Sequence, residues 1–152
     1  QAEDGIRDCL LSRGLGDVYK RQVDGLLNEH NIDCTVLARF MQIIPQWMAE
    51  KREGQIINIH HSFLPGFVGA RPYDQAHARG VKMIGATCHY VTADLDQGPI
   101  IEQEVIRVSH MDSPQDLRRK GKMCEREALG RGLRLHLEDR VIVHGSKTIV
   151  FH

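Results

Sequence analysis

Short β-branched runs alternate with helix-forming stretches along this chain, which restricts it to folds in which helices cover a sheet. Val23 to His30 has the character of the last turns of a helix, and Ile32 to Ala38 reads as a short buried strand. Pro45 is expected at the first position of the next helix. Gly54 closes that helix after Lys51 and Arg52, cations suited to the negative end of its dipole. Gln55 to His60 is expected as a second strand, Pro72 to Gly80 as a short helix, and Val81 to Val91 as a third strand. The turn formers Asp94–Leu95–Asp96–Gln97–Gly98–Pro99 mark a loop, and Ile100 to Val108 a further strand. Ser113–Pro114–Gln115–Asp116 combines a hydroxyl cap, a proline at the first position and a carboxylate near free amides, so a helix should run from there to about His136. Its Leu117, Gly121, Cys124, Ala128, Gly132 and Leu135 recur at spacings of three and four. That small-residue face suits close packing on the sheet, despite the helix cost of two glycines. Val141 to His144, the pair Gly145–Ser146 and Lys147 to Phe151 read as a hairpin. The expected class is α/β: a mostly parallel open sheet flanked by helices, with an antiparallel C-terminal extension.

At 152 residues the chain has room for one domain with a real core. Its 20 basic and 20 acidic residues balance, so bulk charge attracts neither nucleic acid nor an anionic membrane. No apolar run is long enough to span a bilayer, and no signal-peptide pattern occurs. Cys9, Cys34, Cys88 and Cys124 lack paired spacing and read as reduced thiols of a cytoplasmic protein. No functional metal is expected, because His60–His61 and Cys88–His89 are strand neighbours that point to opposite faces. Residues 1–22 show no sustained apolar period and resemble a translated sequencing adapter. They are set aside as non-native, leaving 23–152 as a partial domain. Gly14–Leu15–Gly16 within them lacks the preceding strand that a nucleotide loop requires.

The chemistry concentrates around one strand end. Asn58 and His60 alternate onto the same face of their strand, and Asp96 follows in a loop expected at the same sheet edge. They supply an amide donor, an imidazole and a carboxylate that favours the charged imidazole. Hydrolysis of a formamide needs such a set: donors for the oxygen that gains charge, and a group to carry protons between water and the departing nitrogen. A strand-terminal Asn-x-His is more often structural, and residue types alone leave that alternative open.

Three stretches narrow the choice. NIHHSFLPGFVGARPYDQAHARG at 58–80, GATCHYVTADLDQGPIIEQ at 85–103 and LEDRVIVHGSKTIVF at 137–151 resemble formyltetrahydrofolate deformylases, from about Val23 to the C-terminus. The resemblance implies a formyltransferase-like, Rossmann-type fold and hydrolysis of 10-formyltetrahydrofolate to formate and tetrahydrofolate. The reaction would balance one-carbon folate pools and supply formate for purine synthesis. The wider superfamily's Asn-x-His and Leu-Asp-x-Gly-Pro motifs place its catalytic Asn, His and Asp on Asn58, His60 and Asp96. Its pterin-binding region corresponds to Met41, Gln42, Ile43 and Ile44, with Phe40 before them, and to Val91, Thr92, Ala93, Asp94 and Leu95. No cofactor beyond the folate substrate is implied, and no partner beyond that small molecule, with self-association of a full-length protein left open. His61 stands where the related glycinamide ribonucleotide transferases usually carry proline, which favours water over an amine as acceptor. The family also implies an amino-terminal regulatory domain and opening catalytic strands ahead of this chain. The rival expectations are formyl transfer to an amine and a non-catalytic folate-binding fragment.

Overall fold

The computed structural model describes the backbone of residues 2–66 and 71–152, and side chains from residue 16 onward within those ranges. Residues 67–70, part of the first family-like stretch, lie outside the described residues. Helix α1 covers Ala2–Glu29, β1 Thr35–Ala38, α2 Gln46–Lys51, β2 Ile56–His60 and α3 Pro72–Arg79. They are followed by β3 Met83–Tyr90, β4 Ile100–Arg107, α4 Pro114–Leu137, β5 Val141–His144 and β6 Lys147–Val150. Helix α1 thus runs back through the segment set aside above, and Gly14 and Gly16 are helical. Pro45 sits one place earlier than expected: it is the N-cap of α2, its carbonyl accepting from the amides of Met48 and Ala49 at 3.0 Å each. A proline needs no amide partner there, and its extended backbone starts the turn.

The class is α/β, with helices on the sheet and an antiparallel hairpin of β5 and β6 at the end of the chain. Its parallel content is narrower than the strand–helix alternation suggested. The sheet order is β1-β2-β3-β4; β1 and β2 pair parallel, whereas β3 is antiparallel to both β2 and β4. Alternation implies parallel pairing only when the intervening helix carries the chain back across the sheet. Helix α3 instead packs on α4, and the chain re-enters the sheet running the other way.

Helix α4 covers one face. Ser113 caps it in a reciprocal box, its side chain accepting from the Asp116 amide at 3.2 Å while the Asp116 carboxylate accepts from the Ser113 amide at 3.0 Å. The six small and apolar residues read from spacing are the helix's buried positions. Cys124 and Ala128 meet Ile57, Ile59, Ala86, Cys88 and Tyr90. At Gly132 a methyl group would stand 2.6 Å from Cys88 Sγ, so the absent side chain lets α4 approach β3. Because alternate residues face opposite sides, Asn58, His60, Thr87 and His89 point away from α4.

On that second face, Ile56 packs with Ile44, Met48 and Ala49, against which Val23 and Leu27 of α1 rest. Asp24 locks α1 to α2, accepting from Arg52 Nε at 2.6 Å and Lys51 Nζ at 2.5 Å. Burial acts to raise the Asp24 pKa, but the hydrogen bonds and charges of Lys51 and Arg52 outweigh it and hold the carboxyl below its ordinary value. A group depressed in this way stabilises the fold above its unfolded pKa of about 3.8 and loses that contribution as pH falls through the folded value. Acid unfolding is therefore expected to steepen below that unfolded pKa in the parent chain and less so in Asp24→Asn; superimposable curves would contradict this. Among the described residues no helix is long and apolar enough to cross a membrane.

Candidate active site

On the face opposite α4, a cavity of about 190 Å³ opens over β2. Asn58, His60 and Asp96 line it together with Met41, Gln42, Ile43, Ile44 and residues 91–95. The candidate catalytic and pterin-wall residues therefore border one space, with Phe40 and His61 beside them, and Leu37, Arg39, Ile59 and His89 join the lining. Met41, Ile43 and Leu95 are 71%, 63% and 55% exposed, and their grouping about one cavity suits walls for a flat ring. Arg39 and Phe40 enter because the chain turns immediately after β1, with Arg39 at a φ of 53°.

Asp96 reaches the site by a different route from the one expected. Because β3 runs antiparallel to β2, its end lies beside the start of β2, with the Val91 amide donating to the Ile56 carbonyl at 2.9 Å. The loop after β3 then doubles back over the sheet face. Asp96 adopts a left-handed conformation (φ 55°), which aspartate tolerates better than most residues. Its Oδ2 lies 3.4 Å from His60 Nδ1 and its Oδ1 lies 3.8 Å from His89 Nε2. The Asp96 side chain is only 10% exposed and that of His60 6%, so their attraction is screened far less than on the surface.

Segment 61–64 is pinned behind the site. Thr87 Oγ1 donates to the Ser62 carbonyl at 2.9 Å and accepts from the Leu64 amide at 3.0 Å and from Gln103 Nε2 at 3.0 Å. His61 is half-buried beside His60, their ring centroids 5.2 Å apart. Burial, reinforced by the charge of His60, pushes its imidazole below the ordinary value.

His89 is the residue that sequence reasoning missed. As the cross-strand partner of Asn58, it brings Nε2 to 3.3 Å from Asn58 Nδ2, while its Nδ1 lies 2.8 Å from the Tyr90 carbonyl oxygen. It is 1% exposed, and burial drives its imidazole toward the neutral form against the opposing pull of the Tyr90 carbonyl and Asp96. The only local signal was its alternation with Thr87; the pairing with Asn58 depends on the register of two strands far apart in sequence. Among the described residues no group of three or more His, Cys, Asp and Glu side chains has a metal-holding arrangement.

Known proteins carry the same arrangement of elements. The Formyl transferase family model matches residues 13–133, beginning inside the amino-terminal segment set aside above. The formyltetrahydrofolate deformylase of Bacillus subtilis is 54% identical over 136 residues, which take in 90% of this chain and 45% of the relative. That of Synechocystis is 56% identical over 126 residues, 83% of this chain and 44% of the relative. The crystal structure of a formyltetrahydrofolate deformylase from Pseudomonas syringae pv. tomato aligns with a TM-score of 0.84 and 59% identity, over 87% of this chain and 44% of that one. A phosphoribosylglycinamide formyltransferase from Anaplasma phagocytophilum aligns with a TM-score of 0.82 and 33% identity, over 87% of this chain and 65% of that one. The chain spans just under half the length of the curated relatives it matches. With the family match running over most of its residues, this chain belongs to the formyl transferase family.

Proposed function

We propose that residues 23–152 form the catalytic portion of a cytoplasmic formyltetrahydrofolate deformylase, in which water cleaves the formyl group of 10-formyltetrahydrofolate. The observation that carries the reading is the convergence of Asn58, His60 and Asp96 on one cavity with exposed apolar walls. The pterin ring would lie against Met41, Ile43 and Ile44, its polar edge meeting backbone groups of residues 91–95. Water adds to the formyl carbon, and the carbonyl oxygen takes up the negative charge. Asn58 Nδ2–H and a ring N–H of His60 donate to that oxygen, together lowering the barrier by roughly 3–4 kcal/mol per well-placed donor. Asp96 accepts the proton released by the water, directly or through His60, and it returns to the folate nitrogen as the carbon–nitrogen bond breaks. Formate and tetrahydrofolate leave, and no further cofactor enters the balance. In a cell the formate would feed purine synthesis.

Water is favoured over an amine as acceptor by the relatives themselves: those named deformylase are 54% and 56% identical, whereas the transferase from Anaplasma is 33% identical. The test is formate release from 10-formyltetrahydrofolate with no amine present, measured on this chain and on a chimera carrying the amino-terminal half of the Bacillus relative. Release by either is the expected result. Formyl transfer to glycinamide ribonucleotide with no release in its absence would move the assignment to the transferases, and inactivity of both folded proteins would leave a folate-binding fragment.

A further inference from the structure

The chemistry just proposed asks one particular thing of Asn58: its carboxamide must present N–H, not C=O, to an oxygen gaining negative charge. A carboxamide has two faces of nearly equal shape, and half-buried Asn58 does not choose between them by sterics alone. The choice falls to whatever stands beside it on the sheet. His89 stands there, paired across the β2–β3 ladder, with Nε2 3.3 Å from the amide nitrogen.

The protonation of His89 follows from its other side. Nδ1 lies 2.8 Å from the Tyr90 carbonyl oxygen, which only accepts, so Nδ1 carries a hydrogen. Burial pushes the ring toward the neutral form against the pull of the Tyr90 carbonyl and of the Asp96 carboxylate, whose Oδ1 lies 3.8 Å from Nε2, beyond hydrogen-bond distance. With Nδ1 holding the hydrogen, the neutral ring carries its lone pair on Nε2. A lone pair facing Asn58 accepts from its NH2 group and repels its carbonyl oxygen. The Tyr90 carbonyl is itself held, because the amide of the same peptide unit, Val91 N–H, donates to the Ile56 carbonyl at 2.9 Å and Gly98 lies directly against it. A chain of fixed groups thus runs from the β3–β4 loop through His89 to Asn58.

We infer that His89 is a positioning residue: as the neutral, Nδ1-protonated tautomer it holds the Asn58 carboxamide with its nitrogen toward β3, leaving the second N–H of that nitrogen to the cavity. This rests on the reading that Asn58 polarises the formyl oxygen; the tautomer and the orientation of the amide do not depend on it. In this account His89 touches none of the reacting atoms; Asp96 is a close polar neighbour in the site, 3.8 Å away, and the hydrogen-bonding reach of His89 there is to Asn58.

His89→Leu and His89→Gln are expected to behave differently. Leucine removes the acceptor, whereas the glutamine carbonyl can reach the place of Nε2 and accept from Asn58. In the full chain, His89→Leu is expected to lower kcat by up to about 10²-fold, the scale of a misplaced catalytic group, with KM changing little. His89→Gln should recover most of that loss. The discriminating measurement is the double-mutant cycle with Asn58→Ala. If His89 works through Asn58, His89→Leu has no further effect on kcat once the carboxamide is gone. An equal, multiplicative loss in that background would overturn the proposal, because a general destabilisation persists whether or not Asn58 is present. Nitrogen-15 spectra of the imidazole at neutral pH supply the arm that needs no activity. A proton on Nδ1 and a bare Nε2 are expected; a protonated Nε2 would overturn the assignment even if the parent chain releases formate. Should the parent release none, the functional reading fails by itself and the spectrum still decides the tautomer. Should His89→Leu fail to fold, the glutamine variant and the spectrum carry the test.

Discussion

Asp96→Asn is expected to release formate on the order of 10²–10⁴ times more slowly than the parent chain, with little change in affinity for the folate. The substitution keeps the shape of the side chain and removes its charge. It also leaves the backbone undisturbed: Asp96 sits at a φ of 55°, a conformation that asparagine tolerates as readily as aspartate. What is lost is the carboxylate 3.4 Å from His60 Nδ1, and with it both a counter-charge for the imidazole and a seat for the proton of the attacking water. The apolar walls at Met41, Ile43 and Ile44 are untouched, so binding and turnover should part company. Formate release under saturating substrate, set beside a calorimetric titration with tetrahydrofolate, reads the two separately. Turnover equal to the parent would remove Asp96 from the chemistry.

The second large effect belongs to a residue without a side chain. A methyl group at Gly98 would stand 1.8 Å from the Tyr90 carbonyl oxygen and 2.9 Å from its carbon. Both are backbone atoms, so no rotamer change relieves the contact; the loop or the end of β3 must move. That carbonyl also accepts from His89 Nδ1 at 2.8 Å, and the loop carries Asp96, so the displacement reaches the site. Gly98→Ala is expected to cost about 1–3 kcal/mol or more in stability, the range for overpacked positions. In a chain of this size each kcal/mol lowers Tm by roughly 2–4 °C. Turnover should also fall about 10²-fold if Asp96 moves by an ångström. A thermal melt and the formate assay check the two arms, and a variant with parental Tm and turnover would show that the loop has room to spare.

Both effects depend on contacts of very different legibility. The α4 helix was readable in full from residues 113–137, because its signals are local: a hydroxyl, a proline and a carboxylate in successive caps, then small residues repeating at the helical period. The same holds for the C-terminal hairpin, whose two-residue turn at Gly145–Ser146 joins β5 and β6. Asn58 and His60 could be placed on one face of β2 by strand alternation alone. The borders of the cavity at 41–44 and 91–95 were legible through family-like motifs, not through any periodicity of their own.

What local patterns cannot carry is direction and register. Nothing between residues 61 and 82 announces that α3 will pack on α4 and send β3 back antiparallel to β2. That one reversal turned an expected largely parallel sheet into a mixed one, and moved the root of the Asp96 loop to the opposite end of β2. It also set His89 beside Asn58, a pairing across thirty-one positions of sequence that exists only once two strands have chosen their register. By itself the sequence determined the strands, the helices from α2 onward and the turn chemistry, because these follow from neighbours within a few residues, and it named candidate reactive groups through family-like motifs. The tertiary structure alone decided which strands run together, how Asp96 comes to face His60, and what holds Asn58, because such contacts are selected by burial of the whole sheet and not by any segment of it.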